Sequence, residues 1–274
     1  MQVNYNKVFT KKQYFFTKNK YYVIICIDID KKETRGIKME NKKIIVVSII
    51  LMCIVSIVSC VYAVNNYRKN DVQDEKIQDG ITFKNEYEKY NHQGDNDFSL
   101  FYELSISKTA PVKYINDEKA LELLQKGTSI ILIGEPTDNL TRLVVPILFE
   151  CALEENVTIN YLDIKDLRDE LTLGKRNKII RSKEGSEAYM AMLPILNDYL
   201  NEYYLIDKKG EKVDTLEKRI DTPAVIAIKD GNIVGVNIGT VTTHMMANNP
   251  YQLLSDNERE ELKTTYTNMI SKTK

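Results

Sequence analysis

Apolar and polar positions divide the chain into four parts. Residues 44–64 are 21 positions without a charge, preceded by the basic pair Lys42 and Lys43. At about 1.5 Å per residue, a helix over this run is long enough to cross a bilayer core. Residues 65–110 are polar and charged, with a short helical pattern at 83–91 broken at 94–97, which predicts a solvated tether. From residue 111 the pattern is that of a folded domain. Residues 112–115 read as a strand, and Asn116 or Asp117 caps a helix whose apolar side is Ala120, Leu121, Leu123 and Leu124. Ile130, Ile131, Leu132 and Ile133 form a buried strand stopped by Gly134 and Pro136. Asp138 then stands where a helix N-cap belongs, and a helix follows to Asn156, expected to bend at Pro146.

Further along, residues 158–163 alternate as a strand and 165–171 read as helical. Residues 184–204 read as a longer helix with Met190, Leu193, Leu196 and Leu200 inward, followed by polar positions to Asp221. Strands at 224–229 and 232–236 are joined by the turn residues Asp230 and Gly231. Residues 239–251 read as a loop. Ser255 and Glu258 have capping-box spacing and open a last helix with Leu262, Tyr266, Met269 and Ile270 inward. The order β-α-β-α-β-α-β-β-α predicts an α/β domain with a central mixed sheet flanked by helices.

Charge and cysteine usage narrow the chemistry. With 38 Lys and Arg against 39 Asp and Glu, there is no electrostatic case for a nucleic-acid partner. Of Cys26, Cys53, Cys60 and Cys151, only Cys151 lies in the folded part, so neither an intradomain disulfide nor a zinc site is expected there. Cys151 shares a helix face with Leu143 and Ile147 and reads as a small buried hydrophobe. His92 falls in the tether, and His244 has no Cys, Asp or Glu in its loop to build a metal site with. Arg168, Lys175, Arg176, Lys178 and Arg181 form a basic patch that reads as a solvated face. No phosphate-binding loop, dinucleotide turn or nucleophile elbow is present, so no cofactor is expected.

The apolar run sets the expected location. Residues 39–64 read as a signal anchor or transmembrane helix, with Lys42 and Lys43 cytoplasmic and the C-terminal domain outside the cytoplasm. The anchor is retained, cleaved near Ala63, or replaced by a lipid at Cys60, where Ile57-Val-Ser-Cys60 matches a lipobox. Arg35-Gly36-Ile37-Lys38 can be encoded as a ribosome-binding sequence ahead of Met39, so residues 1–38 read as a non-native leader or as disordered.

The junction at 134–146 resembles the active-site turn of the thioredoxin superfamily, above all in membrane-anchored thioredoxin-like proteins of Gram-positive bacteria. Gly134, Pro136, Thr137 and Pro146 fit that pattern, and Thr222-Pro223 before the strand at 224 resembles the family's cis-proline. Gly239-Thr-Val, Asn249-Pro-Tyr and Leu254-Ser-Asp also look familial, and the likeness covers residues 111–274. The family's Cys-x-x-Cys falls on Asp138, Asn139, Leu140 and Thr141, and neither cysteine is there; Glu135 replaces an aromatic. Asp138 cannot attack a disulfide and Thr141 cannot resolve one, so both are degenerate positions and no catalytic residue is assigned. Asp138 is expected to serve instead as an ionised helix cap.

The resemblance implies a thioredoxin-like domain over 111–274, tethered to the cell membrane through 44–64 and lacking redox chemistry. It implies a protein- or peptide-binding or envelope-assembly module, with an envelope protein or peptide as partner along Pro136, Thr137, Asn139, Leu140, Thr222 and Pro223. The competing expectations are a thiol–disulfide oxidoreductase working through Cys151 or a partner's cysteines, and a structural or immunity-type accessory protein with an occluded groove.

Overall fold

A computed structural model of the chain describes residues 39–94, 101–246 and 252–274. Residues 1–38, with the expected leader and Cys26, and the Asn249-Pro-Tyr part of the resemblance lie outside the described residues. The elements in chain order are α1 (Met39–Glu88), β1 (Val112–Tyr114), α2 (Asp117–Lys126), β2 (Ser129–Gly134), α3 (Asn139–Glu154), β3 (Ile159–Asp163), β4 (Glu170–Leu173), β5 (Ile179–Lys183), α4 (Glu187–Leu196), β6 (Asn201–Ile206), β7 (Lys212–Arg219), β8 (Ala224–Lys229), β9 (Asn232–Ile238), α5 (Thr242–Met246) and α6 (Asp256–Ser271). The chain divides into two compact units, Met1–Ala63 and Val64–Lys274.

The first unit contains most of the apolar part of α1. Ser48–Asn66, 19 residues with mean hydropathy 2.2, is the one described stretch long and apolar enough to cross a membrane. Its large side chains, among them Leu51, Ile57 and Val58, are exposed, as are Cys53 and Cys60.

The second unit is mixed α/β. Its five-stranded sheet has the order β1-β3-β2-β8-β9. β1, β3 and β2 run parallel; β8 is antiparallel to β2, and β9 antiparallel to β8. Side chains alternate across β2, so a strand apolar at every position feeds two cores. Ile130 and Leu132 join Tyr161, Val225, α3 and α6 on one face. Ile131 and Ile133 join Leu162, Ile226, α2 and α4 on the other. The capping box Ser255/Glu258 is formed, and Leu262, Tyr266, Met269 and Ile270 are buried as their spacing predicts.

Four expectations need correction. First, residues 65–110 are not simply a spacer. α1 continues to Glu88, and Phe83, Tyr87, Leu104, Ile106 and Ala110 belong to the core. Gly80, Phe83 and Tyr87 recur at helical spacing inside a charged stretch, so average polarity hides the stripe. Phe83 stacks on Tyr87 at 4.1 Å, and the Tyr87 hydroxyl donates to that of Tyr161 at 3.0 Å. Gly80 permits the approach: a Cβ there would lie 2.4 Å from the Lys108 carbonyl oxygen.

Second, residues 165–171 turn and enter β4, which pairs with β5. Third, the long helix expected to residue 204 ends at Leu196, two residues after Pro194. Asn201–Ile206, rich in β-formers, then pairs with Lys212–Arg219. These two hairpins lie outside the main sheet, and their exposed faces give them the polar pattern of loops. Fourth, residues 242–246 of the expected 239–251 loop are the short helix α5.

Candidate functional site

The β2–α3 junction lies where the parallel strands end, a frequent position for sites in open α/β sheets. Asp138 is the N-cap of α3: Oδ1 accepts from the Leu140 N–H at 3.3 Å and Oδ2 from the Thr141 N–H at 3.0 Å. The Thr141 hydroxyl also donates to Oδ2. Thr141 is fully buried, and only glycine fits at 134, because a Cβ there would lie 2.6 Å from Thr141 Cγ2. The Thr222 side chain lies near enough to the same carboxylate to favour its charged form. The Thr222–Pro223 peptide is cis, and the Pro223 carbonyl accepts from the Gly239 N–H at 2.7 Å. Positions 138, 141 and 222, far apart in sequence, thus meet around one carboxylate.

Asp138 holds its proton more tightly than an exposed helix cap would. Burial raises its carboxyl above the ordinary aspartic range, against the hydrogen bonds from Thr141, Leu140 and Thr222. A carboxyl raised on folding binds its proton more tightly in the folded state. Its contribution to stability therefore falls as pH rises from the unfolded value, about 3.9, through the folded one. Asn keeps the cap and removes the charge. Asp138→Asn is expected to match the wild type in stability at pH 3 and to exceed it increasingly above about pH 4. Thermal melts across pH check this; parallel curves would contradict it.

The remaining positions around the turn divide into covered and open ones. Pro136, Asn139 and Pro223 are buried; Thr137, Leu140 and Thr222 are half-buried. Glu135 forms an ion pair with Arg168. The expected basic patch is therefore partly internal. Arg181 pairs with buried Asp169 and with Glu217, and Arg219 reaches Asp169 at 2.7 Å, while Lys175, Arg176 and Lys178 are exposed.

Arg142 is the residue that the pattern of the sequence gave no reason to single out. It is fully buried and binds carbonyl and amide oxygens rather than a carboxylate. Nε donates to the Tyr102 carbonyl, Nη1 to those of Tyr87 (2.8 Å) and Pro136 (3.1 Å), and Nη2 to Asn91 Oδ1 (2.7 Å). One guanidinium thus ties the turn to the end of α1 and to residues 101–106. Arg142→Leu leaves the Tyr102 and Pro136 carbonyls without their donor and is expected to cost about 3 kcal/mol of stability, since each unsatisfied buried group costs roughly 1–3 kcal/mol. Urea unfolding measures it; a change below about 1 kcal/mol would mean that water replaces the guanidinium.

Cys151 is fully buried on α3, its sulfur 3.6 Å from the Lys263 carbonyl oxygen and 3.7 Å from the Thr267 hydroxyl. Burial raises its thiol above the ordinary value, which suppresses the nucleophilic thiolate. Native alkylation mapped by mass is expected to leave Cys151 unmodified until the protein unfolds; rapid native labelling would contradict this. Buried His244 lies with Nδ1 3.9 Å from Glu258 Oε1. No group of three or more His, Cys, Asp or Glu among the described residues is placed to hold a metal ion. No family model and no curated protein matches this chain.

Proposed function

We propose that Val64–Lys274 contains a thioredoxin-like domain without its dithiol, held outside the cytoplasm by the apolar part of α1 and working as a protein- or peptide-binding module of the cell envelope. The observation that carries this reading is the meeting of Asp138 and Thr141, at the start of α3, with Thr222 just before cis Pro223. The strand order β1-β3-β2-β8-β9, three parallel strands followed by two antiparallel ones, supports it. The groove beside the turn then takes an extended peptide, with Thr137, Leu140 and Thr222 as its half-buried contacts. The buried thiol of Cys151 speaks against the oxidoreductase alternative.

Titration of the full-length chain in detergent with extended peptides from envelope proteins tests the reading. Saturable binding that Leu140→Asp weakens is expected, with no reduction of insulin disulfides. A panel without binders, together with a deletion strain of unchanged envelope composition, defeats it. The coverage of Asn139 by Tyr102 favours a second reading, a structural accessory protein whose groove is permanently closed.

A further inference from the structure

Residues 101–106 form an extended segment held in an unusual way. The Tyr102 N–H donates to Asn139 Oδ1 at 2.8 Å, and its carbonyl accepts from Arg142 Nε. The Leu104 N–H and carbonyl both pair with the Asn91 side chain, at 3.0 and 2.7 Å. The Ile106 N–H donates to Glu88 Oε1 at 2.6 Å. Tyr102 is half-buried, Leu104 and Ile106 are buried, and Glu103, Ser105 and Ser107 are exposed. The period is that of a strand, yet the partners at these three residues are side chains of α1, its following turn and α3 rather than a neighbouring strand.

We propose that this strap is a self-supplied, displaceable occupant of a peptide groove formed by Glu88, Asn91, Asn139 and Arg142. The partner that replaces it is an extended polypeptide with apolar side chains at alternate positions. The side-chain partners read backbone N–H and carbonyl groups, so they accept any chain of that geometry, while the sites of Leu104 and Ile106 select apolar residues. The resident strap displays the chemistry of the ligand. The inference rests on the reading of this domain as a binding module but concerns a different subsite from the Thr222–Pro223 edge. Asn139 links the two, since it belongs to the turn and is covered by Tyr102.

The test uses the full-length chain in detergent and a fluorescein-labelled heptapeptide with the sequence of residues 101–107. In the wild type the strap competes at an effective concentration of roughly millimolar, so micromolar peptide is excluded. Leu104→Asp with Ile106→Asp ejects the strap, and affinity for the heptapeptide is expected to rise by about 10-fold or more as that competitor is removed. A heptapeptide carrying Asp at both apolar positions is expected not to bind. A folded double variant with no gain in affinity overturns the proposal.

Hydrogen exchange of the wild type decides the matter if the double variant does not fold. The amides of Tyr102, Leu104 and Ile106 are expected to exchange about 100-fold or more faster than those of Ile131 and Leu132, through an opening of the strap alone. Exchange of both groups in one common opening would make the strap a fixed part of the core and overturn the proposal. Failure of the peptide panel at the Thr222–Pro223 edge leaves these outcomes readable, because the probe and the variants are confined to the strap groove.

Discussion

A chain cut to begin at Pro111 is expected to lose cooperative folding, whereas one beginning at Val64 keeps it. The sequence pattern places the start of the folded domain at 111, but the core extends upstream. Phe83 and Tyr87 are fully buried on α1, stack on each other and meet Tyr161 edge-on, and Phe83 also packs on Phe149. Burying each contributes about 1.5–3 kcal/mol, so the loss of these two alone forfeits about 3–6 kcal/mol. That is a large share of the roughly 5–15 kcal/mol by which a domain is stable at all. The cut also removes the Tyr87, Asn91 and Tyr102 oxygens from Arg142, leaving a buried cation whose remaining acceptor is the Pro136 carbonyl. Circular dichroism melts and urea titrations of the two chains give the answer. Cooperative transitions at similar midpoints would show that the upstream segment is an ornament on a self-sufficient domain.

This difference marks where the sequence could be read and where it could not. β2 and α3 were legible because each carries its signal locally. Four consecutive apolar residues are followed by a glycine, a proline and a capping Asp. α6 announced itself by Ser255 and Glu258, and the β8–β9 hairpin by Asp230 and Gly231. Phe83 and Tyr87 were missed because two aromatic residues among Lys, Glu and Asn leave the mean polarity of the segment almost unchanged. β6 and β7 were missed because a hairpin outside the main sheet keeps polar residues over most of its surface. The Asp138–Thr141 pair follows from helix spacing, but their contact with Thr222 required the resemblance, since 81 residues separate 141 from 222. Arg142 was illegible for a stronger reason. Charged residues are rarely buried without a charged partner, and its acceptors come from backbone 40 and 55 positions away. The strap leaves a faint trace, since Tyr102-Glu-Leu-Ser-Ile106 alternates apolar and polar, but five residues at that period do not reveal what they pack against.

Asp138→Cys combined with Thr141→Cys, in a chain whose other cysteines are Ser, is expected to confer thiol–disulfide exchange. The Thr141 hydroxyl already donates to the Asp138 carboxylate, so the two side chains point at each other across the first turn of α3. The Leu140 and Thr141 N–H groups now aimed at the carboxylate would face a thiolate instead. Donors at a helix start lower a thiol from about 8.5 toward 7, which raises the thiolate fraction at neutral pH roughly 15-fold. Burial opposes this, as it does for Asp138, but a diffuse thiolate loses less hydration than a carboxylate on leaving water. Insulin reduction driven by a small dithiol is expected to rise from background to clear turnover in the double variant. Thr141→Cys alone is expected to stay inert, because its thiol would be buried and without a resolving partner. A folded double variant that neither closes a disulfide nor turns over substrate would mean that the two positions resemble a dithiol site in spacing alone. The proposed thioredoxin-like ancestry of the turn would then lose its chemical footing.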